Sequence, residues 1–259
     1  SGRAAMTDIF DMTNKRVLIT GGATGLGLAA ANALSRFGAE VILAARRIDR
    51  INESVAAIAA RGGRAQGVVL DVSDAHSIAY ALETIQENGR IDVLINNAGV
   101  LGDKMLIDEA DEDWDRIYNT NLRGIFTLSK AVAKLMAADH GGGNVINMAS
   151  ILGYTTQKGT ATYASAKAAL IQLTRSMAVE WARYDVRVNA IAPGYFRTEL
   201  ADDFLDSEVG QNMIKRAPLR RTGTPHELEG VVLLLASAAG GYMTGSVVTV
   251  DGGLSIPQI

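Results

Sequence analysis

A tyrosine and a lysine stand four residues apart in Tyr163-Ala164-Ser165-Ala166-Lys167, inside a small-residue run from Thr160 to about Trp181 that reads as a helix. Residues at i and i+4 share one helical face. A phenol ionises at a pKa of about 10, so at neutral pH it is a weak acid and an unavailable base. An ammonium held beside it favours the phenolate and would draw the pKa toward the range that general acid–base catalysis needs. The same spacing also describes a half-buried aromatic with a solvated neighbour. The pair gains chemical meaning only from what the chain places around it.

A second motif reads Thr20-Gly21-Gly22-Ala23-Thr24-Gly25-Leu26-Gly27, after a β-branched run and ahead of an alanine-rich stretch. Glycines there permit a tight turn and close approach to a pyrophosphate. The following helix N-terminus supplies free N–H groups and the positive end of its dipole. The spacing G-x-x-x-G-x-G differs from the commoner G-x-G-x-x-G.

Both motifs need a scaffold, and the apolar pattern provides one. Candidate strands lie at 17–19, 41–43, 68–70, 93–95, 145–146, 186–188 and 247–250. Helical stretches at about 25–38, 49–61, 74–88, 111–138, 160–183 and 225–238 alternate with them. Thr224-Pro225-His226-Glu227 carries Pro at the first helical position and a Thr-x-x-Glu capping box, and Ser73 and Asp111 are plausible N-caps. Repeated strand–helix–strand units with continuous apolar strands imply an α/β fold. The expected architecture is a doubly wound, Rossmann-like parallel sheet of about seven strands with helices on both faces. No linker or repeat divides the chain, so a single dinucleotide-binding and catalytic domain is expected over 7–259. Residues 1–6 are expected to be an expression scar without the apolar core of a signal peptide. The stretch 194–223 breaks the alternation and reads as a lid or substrate loop.

Composition sets bounds. The 259 residues can bury a sizeable core, and 48% apolar with 20% charged is ordinary for a globular protein. The 27 glycines exceed the usual share of about 7%. A net charge of −3 gives no electrostatic reason to expect nucleic acid or an anionic membrane. The absence of cysteine removes disulfide and thiolate chemistry. No apolar run is long enough to span a bilayer. A cytoplasmic location is expected, with no metal site.

Residues 20–27, Asn96-Asn97-Ala98-Gly99, Ser150, Tyr163-x-x-x-Lys167 and Pro193-Gly194 occur in an order and spacing that resembles the short-chain dehydrogenase/reductase family, from about Phe10 to Gly253. The resemblance implies that Tyr163 exchanges a proton with a substrate carbonyl or hydroxyl oxygen. Lys167 would lower its pKa and hold the nicotinamide ribose. Ser150, at the end of a strand over 144–149, would hydrogen-bond the same oxygen, and Asn121 would hold a water in a proton relay. Two donors aimed at one developing alkoxide stabilise a transition state, while a cofactor supplies the hydride.

The resemblance also implies a cofactor site made from Gly21, Thr24, Gly25, Leu26 and Gly27, with Asp71 and Val72 at adenine. Asn97, Ala98 and Gly99 would lie near the adenine ribose, and Pro193, Gly194 and Thr198 at the nicotinamide end with Tyr163 and Lys167. Where many relatives carry an aliphatic residue, this chain has Phe196. The second strand ends Ala44-Ala45-Arg46-Arg47 without the carboxylate expected of an NAD site. A guanidinium suits a 2′-phosphate, so NADP(H) is expected in preference to NAD(H), through Arg46 with Arg47 and Thr24 assisting.

The expected activity is NADP(H)-dependent interconversion of a ketone and a secondary alcohol. Residues 191–199 resemble those of 3-oxoacyl-thioester reductases and of sugar-acid dehydrogenases alike, so a small carbonyl or alcohol compound of either kind remains open. Residues 151–157 and 195–220 would contact it. A non-catalytic cofactor-sensing regulator is the alternative of another class, but it has no use for Asn121, Ser150, Tyr163 and Lys167 together. Assembly as a homo-tetramer through the helices near 111–138 and 160–183 is expected by family analogy.

Overall fold

A computed structural model describes residues 9–138, 141–199 and 201–256. The expected expression scar at 1–6 lies outside these residues. Seven parallel strands form one sheet: β1 (Arg16–Thr20), β2 (Glu40–Ala45), β3 (Arg64–Val69), β4 (Val93–Asn96), β5 (Gly143–Met148), β6 (Val186–Pro193) and β7 (Val247–Val250). Their order is β3-β2-β1-β4-β5-β6-β7. The chain therefore winds outward from β1 in one direction and restarts from β4 in the other. The crevice beyond the carboxyl ends of β1 and β4 is where open sheets of this kind take ligands.

Alternation along each strand divides the core. Val17 and Ile19 face one layer, with α1 (Gly25–Arg36), α2 (Ile48–Ala59) and α9 (Glu229–Ala236) packed over it through Leu34, Ile51 and Val232. Leu18 faces the other, under α3 (Ala75–Gln86), α5 (Gly124–Ala138) and α6 (Ala161–Trp181), through Ile78, Leu128 and Met177. With both faces covered, the central strands are mostly apolar, apart from buried asparagines such as Asn96, Asn144, Asn147 and Asn189, which is why composition marks them. β3 is an edge strand and largely exposed; its start, Arg64-Ala65-Gln66, is polar. The apolar run at 68–70 captures only its end, and Leu70 lies beyond it, donating its N–H to Ala45 O at 2.9 Å.

The stretch 111–138, expected as one helix, is α4 (Asp111–Tyr118), a π-helical turn over Asn119–Arg123, and α5. The 194–223 segment carries two short helices, α7 (Asp202–Asp206) and α8 (Glu208–Arg216). Two caps differ by one residue. Asp74, not Ser73, caps α3 by accepting from His76 N, and Asp111 is the first residue of α4 while Ala110 stands at its N-cap. Thr224 N–H donates to the Glu227 carboxylate at 2.9 Å with Pro225 at the first position, as the capping box requires. That turn is 3₁₀ and leads into α9. Among the described residues no helix is long and apolar enough to cross a membrane.

Candidate active site

A cleft of about 810 Å³ runs along the carboxyl ends of the strands. At one end the β1–α1 turn is held by Asn97, whose Nδ2 donates to the carbonyls of Thr20 and Gly21, both at 3.1 Å. Thr20 Oγ1 in return accepts from the N–H groups of Asn97 and Ala98, at 3.0 and 3.1 Å. Beneath it, Asn96 Nδ2 donates to Asn147 Oδ1 and Ser129 Oγ, each at 2.8 Å, and Asn147 Nδ2 to Thr174 Oγ1 at 2.9 Å. This buried network ties β4, β5, α5 and α6 together and fixes where the strand ends stop.

Gly21 has φ +63° and Gly25 φ +54°, both favourable only to glycine. Thr24, at the N-cap of α1, makes no side-chain cap, so the first-turn N–H groups face the cleft without a side-chain acceptor. That is an arrangement for an anion. Arg46, Arg47 and Arg50 line the cleft beyond it and are exposed. Asp71 accepts from Ser73 Oγ at 2.6 Å and Ser73 N at 2.9 Å. Its carboxyl lies below the ordinary value, chiefly through the Ser73 hydroxyl, with the Arg46 charge adding to it. Asp71 is thus both a turn cap and part of the cleft wall.

At the other end lie Ser150, Tyr163 and Lys167, with Pro193, Gly194 and Thr198 across from them. Ser150 stands two residues past β5, and its hydroxyl accepts from Leu152 N at 3.1 Å. Lys167 is buried on α6, donates to Met148 O at 2.7 Å, and places Nζ 5.5 Å from the Tyr163 ring centre. Burial pulls its pKa down to about 8, leaving it mostly protonated at neutral pH. Burial pushes the Tyr163 phenol up to about 12; the Ser150 hydroxyl works against that rise, and the nearby Tyr195 adds to it. Desolvation of the phenolate is the largest cause of that rise. Such a phenol keeps its proton at neutral pH, yet is still far more acidic than an alcohol, with its pKa near water's ~16. It is suited to donating a proton to a developing alkoxide.

The family model described as "Enoyl-(Acyl carrier protein) reductase" matches residues 21–255. A solved short-chain type dehydrogenase/reductase from Mycobacterium marinum is 39% identical, superposes with a TM-score of 0.93, and is matched over 96% of this chain and 99% of its own. The chain belongs to the short-chain dehydrogenase/reductase family. A 3-oxoacyl-[acyl-carrier-protein] reductase from Thermotoga maritima is 36% identical over 95% of this chain and 99% of that protein. A gluconate 5-dehydrogenase from Burkholderia cenocepacia, solved in complex with NADP and tartrate, is 34% identical with a TM-score of 0.93, over 98% of this chain and 100% of its own. The protein is accordingly an oxidoreductase acting between C=O and CH–OH groups.

Of the site residues expected from the sequence, Gly21, Thr24, Gly25, Leu26, Arg46, Arg47, Asp71, Val72, Asn97, Ala98, Gly99, Ser150, Tyr163, Lys167, Pro193, Gly194 and Thr198 all line this one cleft. Two do not. Gly27 packs inside the turn: a Cβ there would lie 2.3 Å from Gly21 O and 2.5 Å from Asn97 Nδ2, so this glycine serves the turn's shape. Asn121 is fully buried in the π turn, where its side chain accepts from Val100 N at 2.9 Å and donates to Val100 O at 2.7 Å. These two bonds use one of its two N–H donors and one of its oxygen lone pairs. Phe196 is buried against Gly223 and makes no part of the cleft wall. Arg50 and Arg116 were not expected in the cleft. Arg50 stands in the first turn of α2, three residues after Arg47, and helical spacing was the available signal for it.

A second cavity of about 740 Å³ adjoins the catalytic end, lined by residues 151–152, 155–157, 195, 204, 209, 212–213, 216 and 254–256. The sequence ranges expected to contact substrate supply most of it. The last turn, Leu254 to Ile256, was not among them.

Proposed function

We propose that this protein reduces a ketone to a secondary alcohol, or runs the reverse reaction, with NADP(H). The observation that carries the reading is one cleft with an anion-receptive helix end and three guanidiniums at one side and a convergent Ser150–Tyr163–Lys167 group at the other. The glycine-lined turn, the uncapped α1 terminus and the absence of a carboxylate at the end of β2 fit a dinucleotide with a 2′-phosphate. Arg46, Arg47 and Arg50 would hold that phosphate. Gly25 and Leu26 would face the pyrophosphate, and Lys167 the ribose nearest the reacting end. When bound, the dinucleotide supplies or accepts the hydride.

The chain's own residues do the rest. Ser150 donates a hydrogen bond to the substrate oxygen and orients it. Tyr163, neutral at physiological pH, gives that oxygen its proton as charge develops. Lys167, charged and locked on Met148 O, makes loss of the phenolic proton less costly once the reaction demands it. A sensor that only bound the cofactor would gain nothing from this polar trio.

Turnover is tested by following NADPH absorbance against ketones, 3-oxoacyl thioesters and keto-sugar acids. Tyr163→Phe should lower kcat by about 10²–10⁴ while dinucleotide affinity stays within about twofold. Full activity in that variant would refute the assignment. We keep a cytoplasmic location and a homo-tetramer as proposals of the same reading. Phe126 on α5 and Val179 on α6, exposed here, are the apolar side chains such an assembly would cover.

A further inference from the structure

The second cavity meets the catalytic end directly, since Tyr195 follows Gly194 and Ile151 follows Ser150. Its wall is largely apolar, through Ile151, Leu152, Phe204, Val209, Met213 and Ile256. Among its polar side chains, which also include Asn212 and Arg216, one pair is bonded to itself: the Tyr195 hydroxyl donates to Gln157 Oε1. Both partners are held from behind. Gln157 O accepts from Thr160 Oγ1 at 2.9 Å, Tyr195 O accepts from Gly223 N at 2.9 Å, and the Tyr195 ring lies 5.5 Å from that of Phe204.

Their mutual bond uses one donor and one acceptor. Gln157 Nε2 has no acceptor among the described residues, and the phenolic oxygen keeps lone pairs. A free N–H beside a free oxygen is the complement of a hydroxyl, which both donates and accepts. Because Tyr195 directly follows Gly194, which lines the cleft with Tyr163, the pair stands where the cavity opens onto the catalytic end.

Resting on the reductase reading above, we propose that Tyr195 and Gln157 bind a hydroxyl on the carbon adjacent to the reacting carbonyl, making α-hydroxy ketones the preferred substrates and vicinal diols their products. The hydride goes to the carbonyl carbon and the Tyr163 proton to its oxygen, the dinucleotide is oxidised, and the adjacent hydroxyl is bound unchanged. A 3-oxoacyl thioester carries no hydroxyl at that carbon. The pair therefore favours sugar-like compounds over acyl chains.

The experiment compares acetoin with butanone and hydroxyacetone with acetone under NADPH, using the full chain and its Tyr195→Phe and Gln157→Leu variants. Dinucleotide binding by fluorescence serves as the check on folding. In the wild type kcat/KM should favour the hydroxy ketone by about tenfold, as one hydrogen bond to a substrate hydroxyl implies. In each variant the ratio should fall to within about threefold of one, chiefly through KM. A wild-type ratio near one, or a ratio that both variants leave unchanged, overturns the inference and leaves the reductase reading standing. No turnover of these ketones or of butanediol with NADP⁺, while 3-oxoacyl thioesters or keto-sugar acids are reduced, overturns the inference alone; no turnover of those compounds either overturns the reductase reading with it.

Discussion

Arg46→Gln should separate the two nicotinamide cofactors. Arg46 follows β2, is exposed, and lines the cleft beside Arg47 and Arg50. A hydrogen bond to a charged group contributes about 1.5–3 kcal/mol. Two features place the effect in the lower half of that range. Arg47 and Arg50 remain to attract the phosphate, and the Arg46 charge already acts on Asp71, an attraction that phosphate binding must share. The loss should thus be about 1.5–2 kcal/mol, which is roughly a 10–30-fold rise in Kd for NADPH. NADH has no 2′-phosphate, so its Kd should change by less than about twofold. Fluorescence titration of both cofactors at two ionic strengths measures this, and higher salt should shrink the NADPH advantage because the guanidinium is exposed. Equal weakening of both cofactors, or unchanged NADPH affinity, would refute the placement of the phosphate here.

Lys167→Met should stabilise the ligand-free fold at pH 7, because the wild type holds a buried ammonium there. The native pKa of about 8 lies below the ordinary 10.5, so between those values the unfolded chain binds more protons and wild-type stability rises with pH. From pH 7 to 9 the gap between the two proteins should narrow by about 1 kcal/mol in urea titrations; a constant gap would contradict the shifted lysine. Gly27→Ala should cost about 1–3 kcal/mol through overpacking against Gly21 and Asn97. Unlike Arg46→Gln, it should weaken both cofactors alike, and an unaltered urea midpoint would show that the turn has room for a methyl group.

Much of this protein is written locally. The doubly wound sheet follows from seven apolar runs separated by helical ones, because burial on both faces leaves strands without polar alternation. The edge strand β3 is legible only at its end, since Arg64-Ala65-Gln66 carries no apolar run and only Ala65 of the three packs on the core. The chemistry-bearing residues are recognisable from type, order and spacing: Tyr163 with Lys167, Ser150 upstream, the glycine turn, and two arginines where a carboxylate would mark NAD. What depends on surroundings could not be read that way. Whether the phenol's pKa rises or falls depends on how deeply packing buries it, and desolvation is the largest cause of its rise here. Gly27 and Asn121 carry motif positions yet face inward, because Asn97 and Val100, brought there by other strands and loops, occupy the space beside them. The Tyr195–Gln157 pair joins residues 38 positions apart across the mouth of a cavity. No sequence spacing announces such a pair, because only the tertiary fold sets the distance between two loops at the end of a sheet.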